Sequence, residues 1–136
     1  MNIGEASRQS AVSAKMIRHY ESLNLLPPVV RSESGYRQYD EATIHTLRFI
    51  RRARDLGFGM REIDNLLGLW HNRRRASKDV KAIALAHAAD LQRRIGEMQA
   101  MQRTLEHLAH GCQGDDRPDC PILDDLAGSR HAATPP

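Results

Sequence analysis

Apolar residues in the first part of the chain recur in short helical runs separated by caps and breakers. Residues 3–9 read as a short helix, and Ser13 is placed to cap a second one over residues 14–22 after a tight turn, which is helix-turn-helix spacing. Asn24 stands where a left-handed residue is wanted, and Pro27 and Pro28 forbid further helix. The chain must then extend. Residues 29–31 and 36–39 are β-prone and flank the polar turn Ser32-Glu33-Ser34-Gly35, which predicts a two-stranded wing. Asp40 is the expected cap of a third helix running to about Leu56, with Ile44, Leu47 and Ile50 at helical spacing and a stop at Gly57. A fourth, from about Met60 to Trp70, repeats Ile63, Leu66, Leu67 and Trp70 at intervals of three and four and should close a small core over the first helices.

Beyond the basic tract Arg73-Arg74-Arg75 the pattern lengthens. A heptad frame with a at 77, 84, 91, 98 and 105 and d at 80, 87, 94, 101 and 108 places Val80, Ala84, Leu91, Met98, Met101, Leu105 and Leu108 on one seam, broken by His87 and Arg94. A helix this long cannot bury that stripe alone, so pairing with a copy of itself is expected. Gly111 ends the helix, a polar loop follows, and residues 121–126 predict a short final helix before a tail expected to be disordered. The fold class is therefore mostly α.

With 136 residues, two substantial domains are excluded. No run of eighteen apolar residues occurs, and the N-terminus has neither a charged nor an apolar leader region, so a cytoplasmic protein with no membrane partner is expected. The net charge of +3 is unevenly spread: residues 1–75 carry thirteen Lys plus Arg against eight Asp plus Glu, the remainder seven against nine. The basic half is the candidate for contact with double-stranded DNA. On the second helix Lys15, Arg18 and His19, with Tyr20 beside them, fall on or near an exposed face, while Met16, Ile17 and Leu23 can turn inward. A recognition helix needs that division, because one side packs while the other reaches phosphates and base edges. Arg31, Tyr36, Arg37 and Tyr39 would arm the wing, chiefly for the sugar–phosphate backbone.

Cys112 and Cys120 are too few for a disulfide framework and enclose seven residues rich in Asp, a loop able to bring two thiolates to one ion. Soft thiolates favour soft metals, and Cu(I) accepts a two-coordinate site that Zn(II) would find incomplete. Pro121 suits the first position of a helix whose N-terminus aims at Cys120, and Lys81 is a candidate compensating charge. Three other readings stay open at this point: unligated thiols, a zinc site completed by His107 or His110, and a redox switch closing a Cys112–Cys120 disulfide. The corresponding alternative functions are a thiol redox-switched regulator and a zinc-stabilised helical interaction module.

The stretches IGEASRQSAVSAKMIRHYESLNLLPP and RSESGYRQYDEATIHTLRFIRRARDLGFGMREI resemble the MerR family of bacterial transcription regulators, and nearly the whole chain is covered. The carrying elements are Ile3-Gly4-Glu5, Ile17-Arg18-His19-Tyr20-Glu21, Leu25-Leu26-Pro27-Pro28, Gly35-Tyr36-Arg37 and Leu56-Gly57-Phe58. The resemblance implies a homodimer joined by an antiparallel coiled coil. Such a dimer would hold a palindromic promoter, distort it when the effector binds, and reach RNA polymerase indirectly through that promoter. Two departures are visible: Ala11 stands where the family usually has Gly in the turn, and Asn24 where Gly usually caps. Asn tolerates the left-handed region, and Ala is expected to ask for a slightly different turn.

The segment HGCQGDDRPDCPILDDLAG is similar to the metal loop of the family's copper-responsive branch (CueR/HmrR type), where the two loop cysteines bind Cu(I), and also Ag(I) and Au(I). Divalent-metal members carry a third cysteine at the start of the long helix, where this sequence has Ser77. What the resemblance implies is a Cu(I)-responsive activator of copper export or detoxification genes, and no enzyme. The expected organisation is a DNA-binding domain over 1–75, a dimerisation helix over 76–111, a metal-binding loop and short helix over 112–128, and a tail over 129–136.

Overall fold

The computed structural model describes residues 1–128; the expected tail over 129–136 lies outside the described residues. Six helices and one two-stranded sheet follow in the order α1 (Ile3–Ser10), α2 (Ala14–Ser22), β1 (Val30–Arg31), β2 (Arg37–Gln38), α3 (Glu41–Asp55), α4 (Met60–His71), α5 (Ser77–His110) and α6 (Pro121–Leu126). The chain divides into two compact units, Met1–Ala82 and Ile83–Pro136.

The starts of α1 to α4 each have a local cause. Asn2 accepts the Glu5 N–H at 2.9 Å, Ser13 the Met16 N–H at 3.2 Å, and Asp40 the Thr43 N–H at 2.9 Å. At α4 the cap is a glycine with no side chain, and Glu62 Oε1 instead accepts the Gly59 N–H at 2.9 Å. Helix ends use left-handed residues: Gly57 follows α3 at φ 89°, Asn24 follows α2 at φ 60°, and Ala11 closes α1 at φ 61°. Ala11 therefore corrects the expected different turn. It keeps the left-handed geometry that glycine would adopt freely, at a cost of about 1 kcal/mol.

The core of this unit gathers Ala6, Val12, Ile17, Tyr20, Tyr39, Ile44, Leu47, Ile50, Ala53, Ile63 and Leu67. Polar groups inside it are satisfied: the Ser10 hydroxyl donates to the Ala6 carbonyl at 2.7 Å, and that of Thr46 donates to Ala42 at 2.9 Å. Arg48 ties α3 to the end of α1, its Nη2 donating to the Gln9 carbonyl at 2.9 Å. Two expected core residues sit further out. Leu23 is 45% exposed, and Trp70, 38% exposed, lies flat on Phe49 with ring centroids 4.6 Å apart.

The strands pair antiparallel in the register Val30↔Gln38 and Arg31↔Arg37. Between them Gly35 takes φ 85° and donates its N–H to the Ser32 carbonyl at 2.8 Å, closing the turn at the wing tip.

In the second unit α5 continues to His110 and ends where the Gly111 N–H returns to the His107 carbonyl. A turn anchored by the Arg117–Asp115 ion pair at 2.8 Å follows, and Pro121 opens α6. Among the described residues no helix is long and apolar enough to cross a membrane.

Candidate nucleic-acid interface and thiol pair

Helix α2 presents Lys15, Arg18 and His19 to solvent on the face opposite Ile17, which is fully buried. Arg18 meets the wing across a cleft of about 620 Å³ lined also by Arg31, Ser34, Tyr36, Arg37 and Asn2. Tyr36 is 71% exposed at the wing tip, and Arg31 Nη1 donates to the Gly35 carbonyl at 3.1 Å, bracing the turn. The cleft thus joins three guanidinium groups to an exposed aromatic ring, a combination suited to a polyanionic backbone.

Two of the predicted contact residues belong elsewhere. Tyr20 and Tyr39 are only 3% and 1% exposed, so their rings pack in the core and not on the face where the sequence reading put them. A buried tyrosine needs a partner for its hydroxyl, and Tyr39 donates to Glu21 Oε1 at 3.0 Å. Burial raises the Tyr39 pKa above its ordinary value; that hydrogen bond and the charge of Glu21 add to the rise, while Arg37 and Arg18 oppose it. The other Glu21 oxygen, Oε2, pairs with Arg37 Nε at 2.8 Å. Glu21 was not singled out from sequence. The available signal was its position as the one carboxylate in an otherwise basic α2.

Ser77 and Lys81 are exposed in the first turns of α5, within the first unit, whereas both cysteines belong to the second. Cys112 and Cys120 are free thiols, each half-buried. The Cys120 thiol is held below its usual pKa, first by the Leu123 N–H, then by the Ile122 N–H and the Cys112 side chain, against burial and the Asp124 carboxylate. The first turn of α6 therefore sets its Ile122 and Leu123 N–H groups near the Cys120 sulfur, without a cap hydrogen bond from either. Among the described residues no group of three or more His, Cys, Asp or Glu side chains is gathered, so His107 and His110 are not brought together with the two thiols here. The donor set is a pair of soft sulfurs, which fits an ion content with two ligands.

A short wing beside a capped recognition helix, followed by one long helix, defines a winged helix-turn-helix DNA-binding protein. Residues 1–69 match the model of the MerR HTH family regulatory protein, and residues 44–108 that of MerR, DNA binding. HmrR, an HTH-type transcriptional regulator of Sinorhizobium medicae, is 59% identical over 133 residues, 98% of this chain and 90% of its own length. CueR of Salmonella typhimurium, also an HTH-type transcriptional regulator, is 41% identical over 131 residues, 96% and 95% of the two chains. Among solved structures, the transcription regulator PbrR691 of Ralstonia metallidurans in complex with lead(II) superposes with a TM-score of 0.81 at 35% identity, covering 93% of this chain and 98% of that one. The chain belongs to the MerR family of helix-turn-helix transcription regulators, which are not enzymes. Membership removes the reading as a zinc-stapled module without a DNA role.

Proposed function

We propose that the chain is a Cu(I)-responsive activator that works as a homodimer on double-stranded promoter DNA, governs copper export or detoxification genes, and reaches RNA polymerase only through promoter shape. The observation that carries the metal assignment is the pair of free, half-buried thiols Cys112 and Cys120, the second standing at the N-terminus of α6. Two thiolates complete a soft monovalent ion such as Cu(I), Ag(I) or Au(I), and leave Zn(II) two ligands short. Similarity to heavy metal-dependent transcription regulators 2 and 1 of Rhizobium meliloti, 60% and 52% identical, supports a metal-responsive regulator.

Cys112 and Cys120 would hold the ion, which would supply a crosslink across the loop that separates them. The loop's own residues prepare for it: Gly114 turns at φ 68°, and Arg117 holds Asp115. Ordering this loop and α6 biases the angle between the two DNA-binding units of the dimer. On DNA, Lys15, Arg18 and His19 from α2 and Arg31 and Tyr36 from the wing make the contacts. Dimerisation is supported by the stripe of Met98, Met101 and Leu105, each more than half exposed on α5. Ser77 denies the site a third thiolate, and Lys81 offsets its residual negative charge. Both lie in the first turns of α5, so they reach a thiol pair only across a dimer whose long helices run antiparallel.

The test is a competition titration of the reduced chain with Cu(I), Zn(II) and Pb(II), following thiolate-to-metal absorption. One Cu(I) per chain is expected, lost in Cys112→Ser and in Cys120→Ser with DNA binding retained, and not displaced by excess Zn(II) or Pb(II). Preferential uptake of a divalent ion overturns the copper assignment. Disulfide formation without metal uptake favours the redox switch instead.

A further inference from the structure

Arg37 and Tyr39 both converge on Glu21, and the wing they belong to is too slight to orient itself. Its strands are two residues each and exposed, whereas an isolated two-stranded ribbon is marginal even when longer. The only carboxylate on α2 is spent on holding it: Oε2 takes Arg37 Nε at 2.8 Å, and Oε1 accepts the Tyr39 hydroxyl at 3.0 Å. Tyr39, with 1% of its surface exposed, is fixed in the core. Glu21 therefore bridges the recognition helix, the core and the second strand of the wing, beside the cleft where Arg18, Arg31 and Tyr36 meet.

We propose that Glu21 is a positioning residue for DNA binding, a latch that sets the wing at the spacing from α2 that a phosphate backbone requires. Arg37 then serves chiefly as the wing's half of the latch, a different role from the direct DNA contact expected of it. The inference rests on the reading of α2 and the wing as the DNA face. It makes a prediction of unusual sign. Removing a carboxylate from a basic surface strengthens DNA binding if charge alone matters, because repulsion from phosphates is relieved. The latch requires the opposite.

Hydrogen exchange of the wing amides and affinity for a random-sequence 30-base-pair duplex are measured on the full chain as wild type, Glu21→Gln, Arg37→Gln, the double variant and Tyr39→Phe. Thermal midpoints check that each is folded. Glu21→Gln and Arg37→Gln should each speed exchange at Ser32 and Gly35 about threefold, as for a partly exposed ion pair, and the double variant should add little. Duplex affinity of Glu21→Gln should fall about threefold with a shallower salt dependence, despite the lost negative charge. Tyr39→Phe, which keeps the ion pair, should show a smaller effect of the same sign, and it carries the test if Glu21→Gln does not fold. Unchanged wing exchange overturns the latch whatever DNA does. Faster exchange with unchanged or higher affinity overturns its role in binding. A wild-type chain that fails to bind the duplex breaks the underlying DNA reading instead, and is seen separately because the exchange result still decides whether the latch exists.

Discussion

In the first unit eleven apolar side chains are buried within the chain, with Ala6, Ile17, Leu47, Ile50 and Ile63 showing no exposed surface at all. Helix α5, with 34 residues, buries a single side chain, His87, and leaves Leu85, Met98, Met101 and Leu105 more than half exposed. Both regions hold similar apolar residues at helical spacing. They differ in whether a partner surface lies nearby in sequence. Short helices separated by capped turns fold back on one another, whereas one uninterrupted helix leaves most of its apolar stripe exposed among the described residues, the surface that the proposed dimer would cover.

The strongest challenge to this contrast is to charge the stripe. Each methionine buried in a dimer contributes about 1.5–3 kcal/mol, so Met98→Lys with Met101→Lys should raise the dimer dissociation constant more than about a hundredfold. Analytical ultracentrifugation reads the outcome, and a dimer of unchanged stability would show that the seam lies elsewhere. Next in size is Leu47→Ala, which opens a cavity in the packed unit. A loss of about 3 kcal/mol in denaturant unfolding is expected, and a loss under about 1 kcal/mol would mean the site collapses without harm.

The smallest effect sharpens the comparison at a helix end. Asp40 has its pKa held below the ordinary value because the carboxylate accepts the Thr43 N–H and then the Thr43 hydroxyl. A carboxyl whose pKa falls on folding contributes stability that is fully present above its unfolded value of about 3.9, and that is lost as pH drops through the lower folded value. Asp40→Ala should therefore cost about 1 kcal/mol at neutral pH, with the difference from wild type shrinking below about pH 4. A difference that persists in acid would deny the charged cap.

Much of this architecture was legible in the sequence because its causes are local. Ser13 and Asp40 announce α2 and α3, and Pro121 announces α6, whose bounds 121–126 are those expected. The long-range pairings were not legible. Tyr39 follows Arg37 in a β-prone run and reads as surface, yet its ring enters the core because Glu21, eighteen residues earlier, receives the hydroxyl. Tyr20 lies one step round the helix from Arg18 and His19 and faces inward with Ile17. Composition marks such residues as amphipathic, but only packing decides which end is wet. At the thiol pair the residues were evident, whereas the nearness of the Leu123 and Ile122 N–H groups to the Cys120 sulfur became visible only once α6 was seen to start at Pro121.

The stacking of Trp70 on Phe49 leads to an optical consequence. All six aromatic side chains, Tyr20, Tyr36, Tyr39, Phe49, Phe58 and the single tryptophan Trp70, precede residue 83. Tryptophan fluorescence therefore originates in the first unit alone, and the region carrying the cysteines holds no aromatic chromophore. Any change in Trp70 emission when an ion is added to the chain is recorded by a chromophore that the sulfur ligands do not share.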